Sequence, residues 1–467
     1  MFRLHRRLVV VFTIALIFVF TITKYKKREF YVNNLDGLNL TPPFSNQTHQ
    51  ENQVYKPVPQ ENPSNISNSK PEEKQEEKFL TYLPHSGFHN QRIALENAIL
   101  LARYLNRTLL VPPVYLGDAQ SWKPFDDLSA ALEKRTKLGM AACSKYSGLP
   151  PTKGPKKCAL YSGWTMLPWS SIYSLDSLQG FVRLRERDSM SISSLEQYGI
   201  NINQDIHFIK DTSLYDYRIF DYFPPGYIVG KYEQKIMVSE LQEISDKLLH
   251  IGSIFGNLRV TTLLRGNAKE YKYILDKLQF TNPTLIRGSQ SIVNQLGGMG
   301  NYLGIHLRVG DGAFSYKVEE NARGILELMA RMLPVVNGEG NEDQYEEKHP
   351  TLSGCLNRNP ITVAKSPLVY LATDARNPRE RTDFSPIFDR FPCTFILSDF
   401  IDSSASIHEE NPWDGTSIHK YLVPMIDAIT VAKGEFYVGT NQSTFSMFVR
   451  RMHNHYLGRP DPLKLKY

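Results

Sequence analysis

Cysteine is scarce: the chain has four in 467 residues, too few to scaffold a body of this size. Cys143 with Cys158 and Cys355 with Cys393 are plausible pairs in an oxidising compartment. Buried free thiols fit nearly as well, and the spacings match no zinc site. No Gly-x-x-x-x-Gly-Lys-Ser/Thr occurs, which disfavours P-loop phosphoryl transfer, and no Gly-x-Ser-x-Gly elbow is present. No two aspartates stand two residues apart, so the Asp-x-Asp that holds a divalent metal in many sugar-nucleotide enzymes is missing. Charge of one sign is also lacking where it would count. Residues 79–467 carry a net charge of only +3, which gives no argument for nucleic-acid binding.

The chain's excess of basic residues lies elsewhere. Residues 1–28 hold a net +7 and residues 29–78 a net −4. Leu8 to Thr23 is an uncharged apolar run between Arg3, Arg6, Arg7 and Lys24, Lys26, Lys27, Arg28. It has no small-residue cleavage pattern, and its length suits a thin bilayer. It reads as an uncleaved signal anchor (8–23) after a short cytoplasmic tail (1–7), with a cleaved signal peptide as the alternative. Either way the body is expected in the lumen of the endoplasmic reticulum or Golgi. Five N-glycosylation sequons occur, and the three in the polar stretch after the anchor, Asn39, Asn46 and Asn65, agree; Asn106 and Asn441 fit coincidence as well. Residues 24–78 are rich in Asn, Pro, Gln, Ser and Glu with almost no apolar periodicity, which predicts a disordered stem.

From Phe79 the pattern changes. Phe79–Leu83 reads as a buried strand. Leu95, Ala98, Ile99, Ala102 and Leu105 repeat at helical spacing, and Thr108–Val111 before Pro112-Pro113 gives a second strand, together a parallel βαβ unit. The middle, 115–280, is less regular, with a helical stretch expected around Gln242 to His250. A second block starts near Gly297. Its strands are expected at Tyr302–Val309, Leu368–Thr373, Thr394–Leu397 and Phe436–Val438, and its helices at Arg323–Met332, Ile418–Ala432 and Thr444–His453. The expectation is an α/β protein of two Rossmann-like domains, 79–290 and 291–467, facing a cleft.

Three segments share one design, a strand opening into a polar or glycine-containing loop. Ligands of open α/β sheets bind beyond the carboxyl ends of strands, and helix N-termini hold anions. The first segment carries Gly87, for backbone approach to a ligand, and Asn90 near a helix start, which reads equally as an Asn N-cap or as part of a binding loop. The second is Gly304-Ile-His-Leu-Arg-Val-Gly-Asp311, where His306 and Arg308 project to one face of a strand. The planar fork of Arg308 suits phosphate oxygens, and without metal it would neutralise a leaving phosphate. Asp311, three residues on, is a candidate general base. Its other reading is a partner for Arg308 or a cap for the next turn. The third segment ends in Ser443-Thr444-Phe445, where the Ser443 and Thr444 hydroxyls would cap a helix, grip a phosphate, or both. Asp374 ends another strand and would meet a ribose hydroxyl or form a salt bridge.

These segments resemble the GDP-fucose protein O-fucosyltransferase family. The likeness covers Tyr82 to Arg92, Asn106 to Pro113, His306-Leu-Arg308 with Gly310-Asp311, and Phe436 to Gly439 through Ser443-Thr-Phe445. The resemblance implies a GT-B fold and inverting, metal-independent transfer, with GDP-fucose as donor and no cofactor. It implies that Arg308 binds the β-phosphate, that His306, Asp374, Ser443, Thr444 and Phe445 line the nucleotide site, and that Asn90 lies beside the reacting sugar. The acceptor would be a hydroxyl on protein or glycan. At the first loop the chain departs from the family pattern, with Ser86-Gly87-Phe88-His89 where a second glycine is usual. A non-catalytic glycan- or nucleotide-binding module, or a transferase using another nucleotide sugar, fits the same motifs.

Overall fold

The computed structural model describes residues 76–458, apart from 138, 148, 150, 257–258, 311, 333–349, 358–366 and 401–408. The expected anchor (8–23) and residues 24–75 of the expected stem lie outside the described residues, and so does Asp311. The last three residues of that stem, Glu76 to Lys78, are described and joined to the body, where the Lys78 carbonyl accepts from the Thr108 N–H at 2.8 Å and Glu77 accepts from the Thr108 hydroxyl at 2.6 Å. Among the described residues no helix is long and apolar enough to cross a membrane.

In chain order the strands are β1 (Phe79–Tyr82), β2 (Thr108–Val111), β3 (Val114–Gly117), β4 (Trp164–Leu167), β5 (Leu184–Glu186), β6 (Ile206–Ile209), β7 (Tyr217–Phe220), β8 (Gln234–Met237), β9 (Leu248–Ile251), β10 (Val260–Thr261), β11 (Leu303–Leu307), β12 (Val369–Thr373), β13 (Thr394–Phe395) and β14 (Tyr437–Gly439). They form a five-stranded sheet of order β5-β2-β1-β9-β6 and a four-stranded sheet of order β13-β12-β11-β14. Every pairing in both sheets is parallel. A smaller parallel sheet, β10-β7-β8, and the antiparallel pair β3-β4 complete the architecture. The molecule is therefore an α/β protein built on parallel sheets.

Parallel strands covered on both faces read as continuous apolar runs. That is why β1, all four of whose residues are buried, is legible in the sequence. It also explains the one clear misreading. Residues 242–250 are not a helix: a short helix, Val238–Gln242, ends there, and Leu248–Ile251 is the fully buried strand β9 between β1 and β6. Periodicity alone does not separate such a run from a buried helix. The helix Phe88–Tyr104 buries Leu95, Ala98, Ile99 and Ala102 as its spacing predicts.

Both disulfides form, Cys143–Cys158 and Cys355–Cys393. The segment around the first bridge docks on residues 411–421 through Lys137. Its ammonium meets the Asp414 carboxylate at 2.6 Å and the Thr416 hydroxyl at 2.7 Å, and it lies 4.1 Å from the centre of the Tyr161 ring. A second tie is nearly dry. Glu96, from the helix after β1, accepts from Arg92 at 2.5 Å and from Arg451, in the last helix, at 2.6 Å. Burial works to raise the Glu96 carboxyl, but Arg451 and Arg92 outweigh it and hold it below the ordinary carboxylate range. These contacts hold the elements that follow β1 and β14 against one another.

Candidate functional site

Strand alternation sets the site. Leu303, Ile305 and Leu307 point into one apolar cluster, together with Val318, Ile325 and Met329 of the helix Val318–Met332. His306 therefore faces the other way, toward the last helix, Thr444–Leu457. Its Nδ1 pairs with the Ser446 hydroxyl at 2.6 Å, and its ring stacks on Phe445 with centroids 4.3 Å apart. Burial, reinforced by Arg308, pushes the imidazole down to about 3, so it is neutral at physiological pH.

Arg308 emerges where β11 ends. Its guanidinium meets Asp374 at 3.1 Å, and its side chain remains 31% exposed at a cleft of about 720 Å³. Asp374 also accepts from the backbone N–H of Val309 at 2.7 Å and of Gly310 at 2.9 Å. A carboxylate has about four acceptor sites, so three of them are filled by this loop. Of the two readings open from sequence, the salt bridge is present. Glycine at 310 lets the Asp374 carboxylate approach the backbone, since an added Cβ would overlap that carboxylate and force it to move. The Arg308 N–H donates to the Thr440 hydroxyl at 2.9 Å, tying this strand end to the loop after β14.

That loop turns through Gln442, whose φ is +59°, into Ser443, the N-cap of the last helix. The Ser443 hydroxyl accepts from the Ser446 N–H, so its capping role is realised, while Thr444 is the first helical residue. Ser443 is buried and Thr444 half-buried; neither lines the cleft, whereas Phe445 does. At the first loop the N-cap is Gly87, which makes no side-chain cap, and Asn90 is half-buried in the opening turn with its N–H on the Gly87 carbonyl at 3.0 Å. Gly87 and Asn90 do not line the cleft either.

Sequence reasoning missed the residue that joins these loops. His89 packs its ring 5.0 Å from both Phe445, edge-on, and Phe448, so a chain of ring contacts runs His89–Phe445–His306 across the first and third loops. Burial holds His89 well below the ordinary histidine value, helped by the cations Arg92 and Arg308 and by His306. Its Nδ1 is buried with no hydrogen-bond partner among the described residues.

Two more groups went unread, both on the helix His419–Ala432 and both lining the cleft: Asp427 and His419. Asp427 is only 8% exposed, and its carboxylate accepts from the Tyr370 hydroxyl at 2.6 Å. Burial pushes it up to about 7, against the opposing pull of that hydrogen bond. The available signal was a single acid inside the apolar run Leu422–Ala432. Thr373, Arg379 and Asp399 close the far wall of the cleft, where Arg379 donates to Asp399 at 2.6 Å.

A concave site at the carboxyl ends of parallel strands, with a half-exposed arginine beside a stacked aromatic pair, is the arrangement of a nucleotide-binding α/β protein. The family described as GDP-fucose protein O-fucosyltransferase matches residues 79–456, and the chain belongs to that family. It is 58% identical over 38 residues to O-fucosyltransferase 30 of Arabidopsis thaliana, a match that spans 8% of each chain. Among solved structures, POFUT1 in complex with GDP-fucose aligns over 84% of this chain and 98% of its own, with 11% identity and a TM-score of 0.36. The fucosyltransferase NodZ from Bradyrhizobium aligns over 80% and 93%, with 10% identity and a TM-score of 0.35. The family match, not these distant likenesses, places the chain.

Proposed function

We propose that this protein is an inverting, metal-independent glycosyltransferase of GT-B architecture that transfers fucose from GDP-fucose to a hydroxyl on protein or glycan. One observation carries the reading: the cleft at the end of β11 presents Arg308 to solvent while the His306–Phe445 stack and Asp427 form its wall. A nucleoside diphosphate needs a cation for its phosphates and flat, polar-edged surroundings for its base. Asp427 offers an acceptor to the donor-bearing edge of guanine. Asp374, already fixed by Val309 and Gly310, keeps an acceptor site for a ribose hydroxyl.

In this mechanism the acceptor oxygen attacks the anomeric carbon of fucose from the face opposite the diphosphate. The new C–O bond forms as the bond to the β-phosphate oxygen breaks, and GDP leaves with the electron pair. Arg308 neutralises the charge that develops on that oxygen, the task a metal performs elsewhere. Asn90, in the opening turn of its helix, orients the sugar. The acceptor's proton passes to a carboxylate, assigned to Asp311 from its place in the sequence. Ser443 caps the helix that Thr444 opens, and so fixes Phe445, the one of the three that lines the cleft.

The wider organisation belongs to the same reading. The domains are 79–290 and 291–467, carried on a stem (24–78) and a single signal anchor (8–23), with the catalytic body in the lumen of the Golgi or endoplasmic reticulum. The experiment is a donor screen. Purified protein is incubated with GDP-fucose, GDP-mannose and UDP-sugars, with acceptor glycans and peptides, in the presence of a chelator. Transfer from GDP-fucose alone is expected. Nucleotide binding with no turnover on any acceptor would contradict the enzyme assignment, and turnover only with another donor would contradict the sugar.

A further inference from the structure

We infer that His89 is a positioning residue for the donor: its imidazole holds Phe445 against His306 and so fixes the aromatic wall of the cleft. The inference rests on the nucleotide-sugar reading above and adds a residue that the mechanism does not use. Among the described residues, Phe445 is the one member of the last helix that lines the cleft. It is half-buried, and its two ring neighbours among those residues are both histidines. His306 lies against its face, with centroids 4.3 Å apart and planes inclined by 27°. His89 meets it from a different direction, edge-on, at 5.0 Å and 78°. A single stacked neighbour leaves a phenyl ring free to slide and turn; a second ring set across it removes that freedom.

The imidazole is itself anchored. Its ring lies 5.1 Å from that of Phe88 and 5.0 Å from that of Phe448, which is 2% exposed. Arg92 and Arg451 bring their guanidiniums to 4.5 Å and 5.3 Å from the centre of the Phe448 ring, and both donate to Glu96. His89 therefore stands on the buried tie between the helix Phe88–Tyr104 and the last helix. What it offers the cleft wall is a surface: no hydrogen bond to either ring nitrogen is present among the described residues, and Nδ1 is buried. Burial, helped by Arg92, holds the imidazole well below the ordinary histidine value, so it is neutral and packs as an aromatic ring.

This arrangement separates binding from chemistry. Arg308, which neutralises the leaving phosphate, is held by other groups: Asp374 meets its guanidinium at 3.1 Å, and the Thr440 hydroxyl accepts from its N–H at 2.9 Å. Releasing Phe445 loosens the wall that receives the nucleoside and leaves the reacting end in place. Bound donor and transition state then lose the same contact, so the loss falls on KM and leaves kcat unchanged.

The test uses the full chain with His89→Ala, His89→Gln and His89→Phe, each alone and together with Phe445→Ala. Steady-state kinetics are run on GDP-fucose, and calorimetry on GDP and on guanosine. His89→Ala and His89→Gln should raise KM about two- to tenfold with kcat within about twofold, and should weaken GDP and guanosine by the same factor as KM. His89→Phe, which keeps a flat ring and gives up both nitrogens, should restore all three. On top of Phe445→Ala, the His89 substitutions should add no further loss, because they act through that ring. A loss confined to kcat, rescue by Gln but not by Phe, or full additivity with Phe445→Ala would each overturn the inference. The contrast of Gln with Phe decides even where His89→Ala does not fold. An unaltered protein that binds neither GDP nor guanosine removes the nucleotide reading and the inference with it, whereas binding that is indifferent to His89 removes the inference alone.

Discussion

Among the described residues, two arginines directly follow a parallel strand, and they have opposite fates. Arg308 follows β11, is 31% exposed at the cleft, and meets a carboxylate that is itself fixed by two backbone N–H groups. Arg187 follows β5 and is 2% exposed. Its hydrogen bonds go to neutral oxygens: the Thr81 hydroxyl at 3.3 Å, the Ser191 carbonyl at 2.9 Å and the Ser194 hydroxyl at 3.4 Å. Burial pushes it down to about 10. A strand ending in arginine is therefore not a signature of an anion site. What separates the two is the glycine at 310, which lets Asp374 approach the backbone closely, and a cleft that leaves the guanidinium wet.

Arg308→Ala should give the largest effect, a loss of transfer on the order of 10²–10³ in kcat with stability changed by no more than about 1 kcal/mol. Steady-state kinetics and thermal unfolding on the same preparation check both halves, and near-normal turnover would erase the distinction drawn here. Arg187→Met should do the reverse. It removes three hydrogen bonds, one buried and two partly buried, and should destabilise the fold by about 2–4 kcal/mol, measured by denaturant unfolding. A stable Arg187→Met protein that has lost transfer would mean that both arginines serve the chemistry.

Asp427 gives the most conditional effect, because it depends on pH. Its folded-state value of about 7 lies above that of an unfolded aspartate, so the folded protein favours the protonated form. Stability is then fully present below the unfolded value and is lost as pH rises through about 7. Asp427→Asn should flatten that decline, gaining at most about 4 kcal/mol at pH 8 relative to the unaltered protein. Denaturant midpoints at pH 5 and pH 8 measure it, and an unchanged slope would remove Asp427 as the cause.

Much of the cleft was legible because strand alternation reaches it. With β11 placed by its apolar run, His306 and Arg308 follow on one face, and Asp374 follows at the end of β12. Ser443 was legible as a cap. What the sequence hid came from residues brought together across long separations. His89 reads as a loop residue until Phe445 and Phe448 close over it. Asp427 reads as an oddity in an apolar helix until that helix packs against β12 and the Tyr370 hydroxyl reaches its carboxylate. The sheet β10-β7-β8 was not anticipated because its aromatic and charged residues alternate without a clear period. The misreading of 242–250 has the opposite cause, an apolar run buried on both faces.

The central claim is that Arg308 binds a diphosphate, and calorimetry with GDP and with guanosine tests it most directly. The unaltered protein should bind GDP far more tightly than guanosine, and Arg308→Ala should lose that preference while holding guanosine as before. Undiminished GDP binding by Arg308→Ala would contradict the account.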